Sequence, residues 1–115
     1  MTVEKLKITI WAADTARAVS FYIRCFGAEI VRENPHITEL AIANGIIAIH
    51  GSGEGKRTWT GLTFQVPDVV AGAGEVTAAG GKCDREPQPE NGEPPHLAIC
   101  EDTEGNQLML SRQRR

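Results

Sequence analysis

Three histidines and three cysteines are the side chains of this 115-residue chain best equipped for proton, metal or thiol chemistry, and their spacing separates those uses. His50 closes the apolar run that begins at Ile46, where a strand end presents an imidazole whose titration range suits acid–base work. It is the one candidate catalytic residue; its plainer use is as a polar strand end before a glycine-rich stretch. His36 follows Pro35 and His96 follows Pro95, so both are expected at exposed loop borders. Cys25, Cys83 and Cys100 lie far apart with no C-x-x-C spacing, which suits neither zinc nor a disulfide framework. They read as small buried hydrophobes of a reducing compartment, and the expected location is the cytoplasm. The stretch GSGEGK at positions 51–56 contains a Gly-Lys pair, but Arg57 and a strand follow it instead of Ser or Thr and a helix, so it is not read as a phosphate loop.

These groups need elements to hold them, and the pattern of apolar residues supplies those elements twice. Leu6, Ile8, Ile10 and Ala12 alternate with Lys7, Thr9 and Trp11, the period of a half-buried strand. Asp14 or Thr15 then caps a helix whose expected apolar stripe is Val19, Tyr22, Ile23 and Phe26, stopped by Gly27. Strands follow over Ala28 to Glu33, Ile37 to Ala43 and Ile46 to His50, with turns at Asn34-Pro35 and Asn44-Gly45. The second half repeats the plan: a strand over Trp59 to Val66, a small-residue helix from Asp68 to Ala79 packed through Val69, Val70, Ala73 and Val76, and a strand over Lys82 to Glu86. A proline-rich loop from Pro87 to Pro95 comes next, then a hairpin over His96 to Ser111 turning at Asp102, Gly105 and Asn106. A shift of 54 residues lays Asp14 on Asp68 and Gly27 on Gly81, the mark of an internal duplication. The expected class is α+β: one domain of two tandem βαβββ modules, residues 1–50 and 59–115, joined by a flexible linker at 51–58 and forming a curled mixed sheet around a cleft.

Composition narrows the partners. Apolar residues make up 41% of the chain and charged residues 23%, ordinary for a soluble domain, and no apolar run is long enough for a membrane span. Met1 to Lys7 carries charges where a signal peptide needs an apolar core. A net charge of −3, with basic clustering only in the terminal SRQRR, makes nucleic acid an unsuitable partner.

The ordered set Asp14-x-x-Arg17-Ala18, Phe21-Tyr22, Phe26-Gly27-Ala28, Val66-Pro67-Asp68-Val69, Ala78-Ala79-Gly80-Gly81 and Glu101-Asp102-Thr103-Glu104-Gly105-Asn106 resembles the vicinal oxygen chelate superfamily of glyoxalases, bleomycin-resistance proteins and ring-cleaving dioxygenases. The resemblance implies two half-barrel sheets around a cleft, commonly built at a dimer interface. It also implies a divalent metal held by side chains at the positions of Lys7, Gly61 and Met109, with Ala48 the matching place in the first module. None of these four is a carboxylate or imidazole, so no metal and no cofactor are expected.

Strand parity defines the inward set Thr9, Trp11, Ile46, Ala48, His50, Thr63, Gln65, Gln107, Met109 and Ser111, with Trp59 at the mouth. The plainer reading is the wet face of a sheet, but Trp11, Ile46 and Met109 on such a face suggest a concave surface. Trp11 offers a stacking plane, Gln65 and Gln107 neutral hydrogen-bonding groups, and Met109 an adaptable wall. Glu39 shares parity with Ile37 and Ala41; an inward carboxylate is one reading, and a solvated strand residue is the expectation. The expected function is binding or sequestering a small, flat or antibiotic-like molecule in a homodimer, using Thr9, Trp11, Ala48, His50, Trp59, Thr63, Gln65, Gln107 and Met109. The alternative is a metal-dependent lyase, isomerase or dioxygenase of the same superfamily.

Overall fold

The computed structural model describes residues 1–84, 88–89 and 91–113. The first half forms β1 (Lys7–Trp11), α1 (Thr15–Phe26), β2 (Glu29–Glu33), β3 (Ile37–Ile42) and β4 (Gly45–His50). The second forms β5 (Thr58–Gln65), α2 (Val69–Ala78), β6 (Lys82–Cys83), β7 (Leu97–Glu101) and β8 (Asn106–Ser111). Each half makes its own four-stranded mixed sheet, ordered β1-β4-β3-β2 and β5-β8-β7-β6, with the first strand parallel to the last and the other pairs antiparallel. The architecture is α+β, built from two βαβββ modules. The duplication extends to the helix caps: the Asp14 carboxylate accepts the Arg17 N–H at 3.0 Å and the Asp68 carboxylate accepts the Ala71 N–H at 3.0 Å.

Both helices and one face of each sheet share a single core. Ile10, Leu40, Ile47 and Ile49 enter it from the first sheet, and Leu62, Ala98, Leu108 and Leu110 from the second, around Phe21, Tyr22, Val69 and Val76. Helix α1 is covered on two sides, which changes its expected stripe. Ala18, Phe21 and Tyr22 are buried while Ile23 is exposed, because Phe21 packs on Gly81 and Phe26 stacks on Phe64 with centroids 4.1 Å apart. In α2, Val70 is exposed and Gly72 is buried in its place; a Cβ at Gly72 would lie 2.9 Å from Leu110 Cδ1, so this glycine permits close helix–sheet packing.

Other boundaries move for local reasons. The β3–β4 turn is Ala43-Asn44, with Ala43 at φ 52° and Ile42 paired to Gly45, one residue earlier than the Asn-Gly signal implies. The expected linker is tied down: Gly51 N–H donates to His36 O, Gly53 N–H donates to Ala12 O, and β5 already begins at Thr58. The ends of β1, β2 and β8 match the alternation to within a residue or two. Strand β6 has two residues; Arg85, Glu86, Pro87 and Glu90 of the strand and proline-rich loop, and Arg114 and Arg115 of the tail, lie outside the described residues. Among the three free cysteines, Cys100 is buried and Cys25 and Cys83 are half-buried. Burial pushes the Cys25 thiol up to about 11. No helix among the described residues is long and apolar enough to cross a membrane.

Candidate functional site

Because both helices pack on the same side, the other face of each sheet has no covering layer among the described residues. On the first sheet the register sets that face out in rows: Lys7, Ile46 and Ala41; Thr9, Ala48, Glu39 and Arg32; Trp11, His50 and Ile37. Lys7 donates across this face to Glu39 Oε2 at 3.0 Å, and Arg32 Nη1 lies 3.9 Å from the same oxygen. Ala48, between Thr9 and Glu39, is 5% exposed, so its small side chain lies buried among these longer ones. Glu39 is itself buried, which corrects the expectation of a solvated strand residue: its face is covered by its own ion partners. The hydrogen bond from Lys7 holds its carboxyl below the ordinary range against the opposing effect of burial, and the charges of Lys7, Arg32 and Lys5 add to this.

Trp11 is half-exposed, with its ring 5.9 Å from that of His50 at a 36° tilt. Thr9 beside it is exposed. His50 Nδ1 faces the Gly51 carbonyl, so in the neutral ring that nitrogen carries the proton and the lone pair is on Nε2. His36 is exposed as expected, whereas His96 is half-buried because it leads directly into β7.

The second sheet repeats the arrangement with different chemistry. Thr63, Met109 and Ile99 form one row, Gln65, Ser111 and Leu97 the next, and Gln107, Glu101 and Lys82 a third. Thr63 and Gln65 are exposed, and Met109 and Ser111 are half-buried. Gln107 is only 3% exposed, and its Nε2 has no hydrogen-bond partner among the described residues. Trp59 is 76% exposed; Arg57 lies 5.8 Å from its ring centroid and 3.3 Å from Glu101, so this indole stacks under a cation and does not cover the core. An irregularity in β5 between Thr58 and Leu62 puts Gly61 at φ +76°, with open space where a Cβ would be.

Thr9, Trp11, Ala48 and His50 therefore lie on one sheet face, and Thr63, Gln65, Gln107 and Met109 on the other. Among the described residues no strand of one sheet pairs with a strand of the other. Thr63 and Gln65 share a groove of about 620 Å³ with Ile46, Leu6, Ile8 and Phe64 at the seam between the sheets, whereas Trp11 lines a separate groove with the 52–58 segment and Asn106.

The residues with the richest hydrogen bonding were not among the sequence candidates. Tyr22 on α1 donates to Asp102 Oδ2 at 2.7 Å, and Asp102 Oδ1 also accepts the N–H groups of Glu104 and Asn106. Glu104, with no exposed side-chain surface, accepts from Arg17 Nε at 2.6 Å and from the Asp14 N–H at 2.9 Å. Asn106 Nδ2 donates to the Trp11 carbonyl at 2.8 Å. Burial raises the Asp102 pKa despite these hydrogen bonds; burial also pushes Glu104 up, but Arg17, Asp14 N–H and Thr103 outweigh it and the net shift is downward. The sequence held one signal for this network: a tyrosine on an apolar helix stripe needs an acceptor for its hydroxyl. The network joins the modules and is structural.

The positions where the resemblance implies metal ligands hold an ammonium engaged by Glu39, a glycine, a thioether and a methyl group, at Lys7, Gly61, Met109 and Ala48. This donor set does not fit a divalent cation, which needs converging carboxylates or imidazoles. Among the described residues no group of three or more His, Cys, Asp or Glu is placed to hold a metal ion.

A family model described as Glyoxalase/Bleomycin resistance protein/Dioxygenase superfamily matches residues 6–110. A comparison with curated protein sequences found no significant match. Among solved structures the chain is similar to the genomically encoded fosfomycin resistance protein FosX of Listeria monocytogenes, in its hexagonal form, with a TM-score of 0.81 at 19% identity, covering 99% of this chain and 96% of that one. It is also similar to a glyoxalase/bleomycin resistance protein/dioxygenase family enzyme of Burkholderia phytofirmans PsJN (TM-score 0.75, 18% identity, 92% and 95% covered). A glyoxalase-related enzyme of Fulvimarina pelagi gives 0.76 at 17% identity, with 96% and 89% covered. At these identities the likeness is one of fold, and the family match over residues 6–110 carries the assignment: the chain belongs to the glyoxalase/bleomycin resistance protein/dioxygenase superfamily.

Proposed function

We propose that this protein binds or sequesters a small, flat molecule on its uncovered sheet faces without a metal ion, and that it works as a cytoplasmic homodimer in which a second copy supplies the missing cover. The observation that carries the reading is the Lys7–Glu39 ion pair on the first sheet face. It puts a fixed ammonium where a metal would otherwise need a donor, four residues along the strand from the half-exposed Trp11. Gln107 supports it from the second sheet, since a buried amide donor without a partner among the described residues is stabilised by any ligand or water that offers an acceptor. In this reading Thr9, Trp11, Ala48 and His50 form one wall, and Trp59, Thr63, Gln65, Gln107 and Met109 the other. His50 contributes an imidazole edge next to Trp11.

A thermal-shift comparison separates this reading from metal-dependent catalysis. A panel of small aromatic compounds is expected to raise the melting temperature, while added Mn²⁺ or Zn²⁺ leaves it unchanged. A rise with either metal at stoichiometric concentration, or no rise with any aromatic compound, contradicts it.

A further inference from the structure

The first sheet face carries more positive charge than the protein as a whole. Glu39 is surrounded by Lys7, Arg32 and Lys5, three cations against one carboxylate, in a chain whose net charge is −3. Lys7 and Arg32 both approach Oε2 of Glu39, from β1 on one side and β2 on the other. Glu39 is the only acceptor of the Lys7 ammonium among the described residues, so two of its three N–H bonds remain for solvent or a ligand. Glu29 shares the Lys7 row, but lies three strands away, about 14 Å at the usual spacing. Thr9 and Trp11 continue along the same face from Lys7, adding an exposed hydroxyl and then an aromatic plane.

We infer that this face is an anion subsite: Lys7 and Arg32, both drawn to Oε2 of the buried Glu39, take the carboxylate of an aromatic acid whose ring lies toward Trp11. This rests on the reading that the face binds a small molecule, and names the class. Glu39 is then a positioning residue. It orients the ammonium but also competes with the ligand for it, so its charge tunes affinity. An ammonium that is partly desolvated and already oriented gives a charge-assisted hydrogen bond stronger than a neutral one, which favours an acid over an alcohol of the same shape.

The test uses benzoate and benzyl alcohol as probes of one shape and two charges, titrated into the isotopically labelled full chain and followed by the backbone amides of β1 and the Trp11 indole N–H. Benzoate is expected to shift these resonances and to bind at least about tenfold more tightly than benzyl alcohol. Lys7→Met should reduce that preference several-fold and Glu39→Gln should increase benzoate affinity several-fold, since the ammonium loses its internal counter-ion. Because Lys7→Met leaves the buried Glu39 carboxylate with only the longer Arg32 contact, the double variant Lys7→Met with Glu39→Met provides the folded control, and its preference for benzoate should shrink to what Arg32 alone supplies. Equal binding of the two probes to the unaltered chain, or an unchanged preference in the double variant, overturns the anion subsite while leaving small-molecule binding intact. If neither probe moves any resonance on either sheet face, the anion subsite falls, and the thermal-shift panel alone decides the binding reading.

Discussion

Arg17 of the first module and Glu104 of the second are joined by two charge-assisted hydrogen bonds, 2.6 Å from Nε and 3.1 Å from Nη2. The carboxylate has no exposed side-chain surface whereas the guanidinium is about half exposed, so the second module inserts a buried charge that the first neutralises from the rim. This bidentate contact, with Tyr22 on Asp102 behind it, makes the module arrangement depend on ionisation.

The folded pKa of Glu104 is lowered, so its contribution to stability is present above the ordinary carboxylate range and is lost as pH falls through the folded value. Asp102 has a raised folded pKa and acts in the opposite sense: its contribution is present below its ordinary value and is lost as pH rises through the raised one. Urea midpoints measured between about pH 3 and 7 should therefore fall on the acid side in the unaltered chain, and Glu104→Gln should lower the neutral midpoint and flatten that acid limb. An equally steep acid limb in the variant would assign the loss to other carboxylates.

Tyr22→Phe deletes the hydroxyl that donates to Asp102 while keeping the ring that packs with Phe21 and Phe26. It leaves a buried carboxylate oxygen with one donor fewer, and the expected loss in urea unfolding is about 1–3 kcal/mol. A change near zero would mean that solvent replaces the hydroxyl.

Two glycines should respond to alanine in opposite directions. At Gly81 a Cβ would lie 2.5 Å from the Glu101 carbonyl and 2.9 Å from Phe21, so Gly81→Ala is expected to destabilise by about 1–3 kcal/mol. Gly74 lies inside α2 with nothing within 4 Å of the added methyl, so Gly74→Ala should stabilise by about 0.5–1 kcal/mol through the unfolded chain. Thermal melts of the pair read both signs.

The exposed apolar groups predict the assembly state. Trp11, Trp59 and Leu97 are each about half exposed or more. Sedimentation at micromolar concentration is expected to give about twice the 12.5 kDa chain mass, and a single species at the chain mass would remove the dimer from the proposed function.

Most of the architecture was legible because it is written in local periods. Alternation marked β1, β5 and the β7–β8 hairpin, and a short apolar run marked β4; Asp14 or Thr15 and then Asp68 marked the helix starts, and the 54-residue shift tied them into one repeated plan. The errors arose where packing or strand pairing overrode the local signal. Ile23 has the apolarity of a core residue, yet Phe21 and Tyr22 hold the buried side because Gly81 and Asp102 meet them there. Ala43 adopts a left-handed conformation because pairing of Ile42 with Gly45 sets the turn, overriding the preference of the Asn-Gly pair.

The sequence alone determined the repeat, the class of the fold and the absence of carboxylate or imidazole at Lys7, Ala48, Gly61 and Met109, because these depend on residue type and on spacing within single strands. The tertiary structure decided which charges are buried and with whom. Glu39 pairs with a lysine 32 positions away and Glu104 with an arginine 87 positions away, and such pairings follow from strand order and module packing, which no local period records.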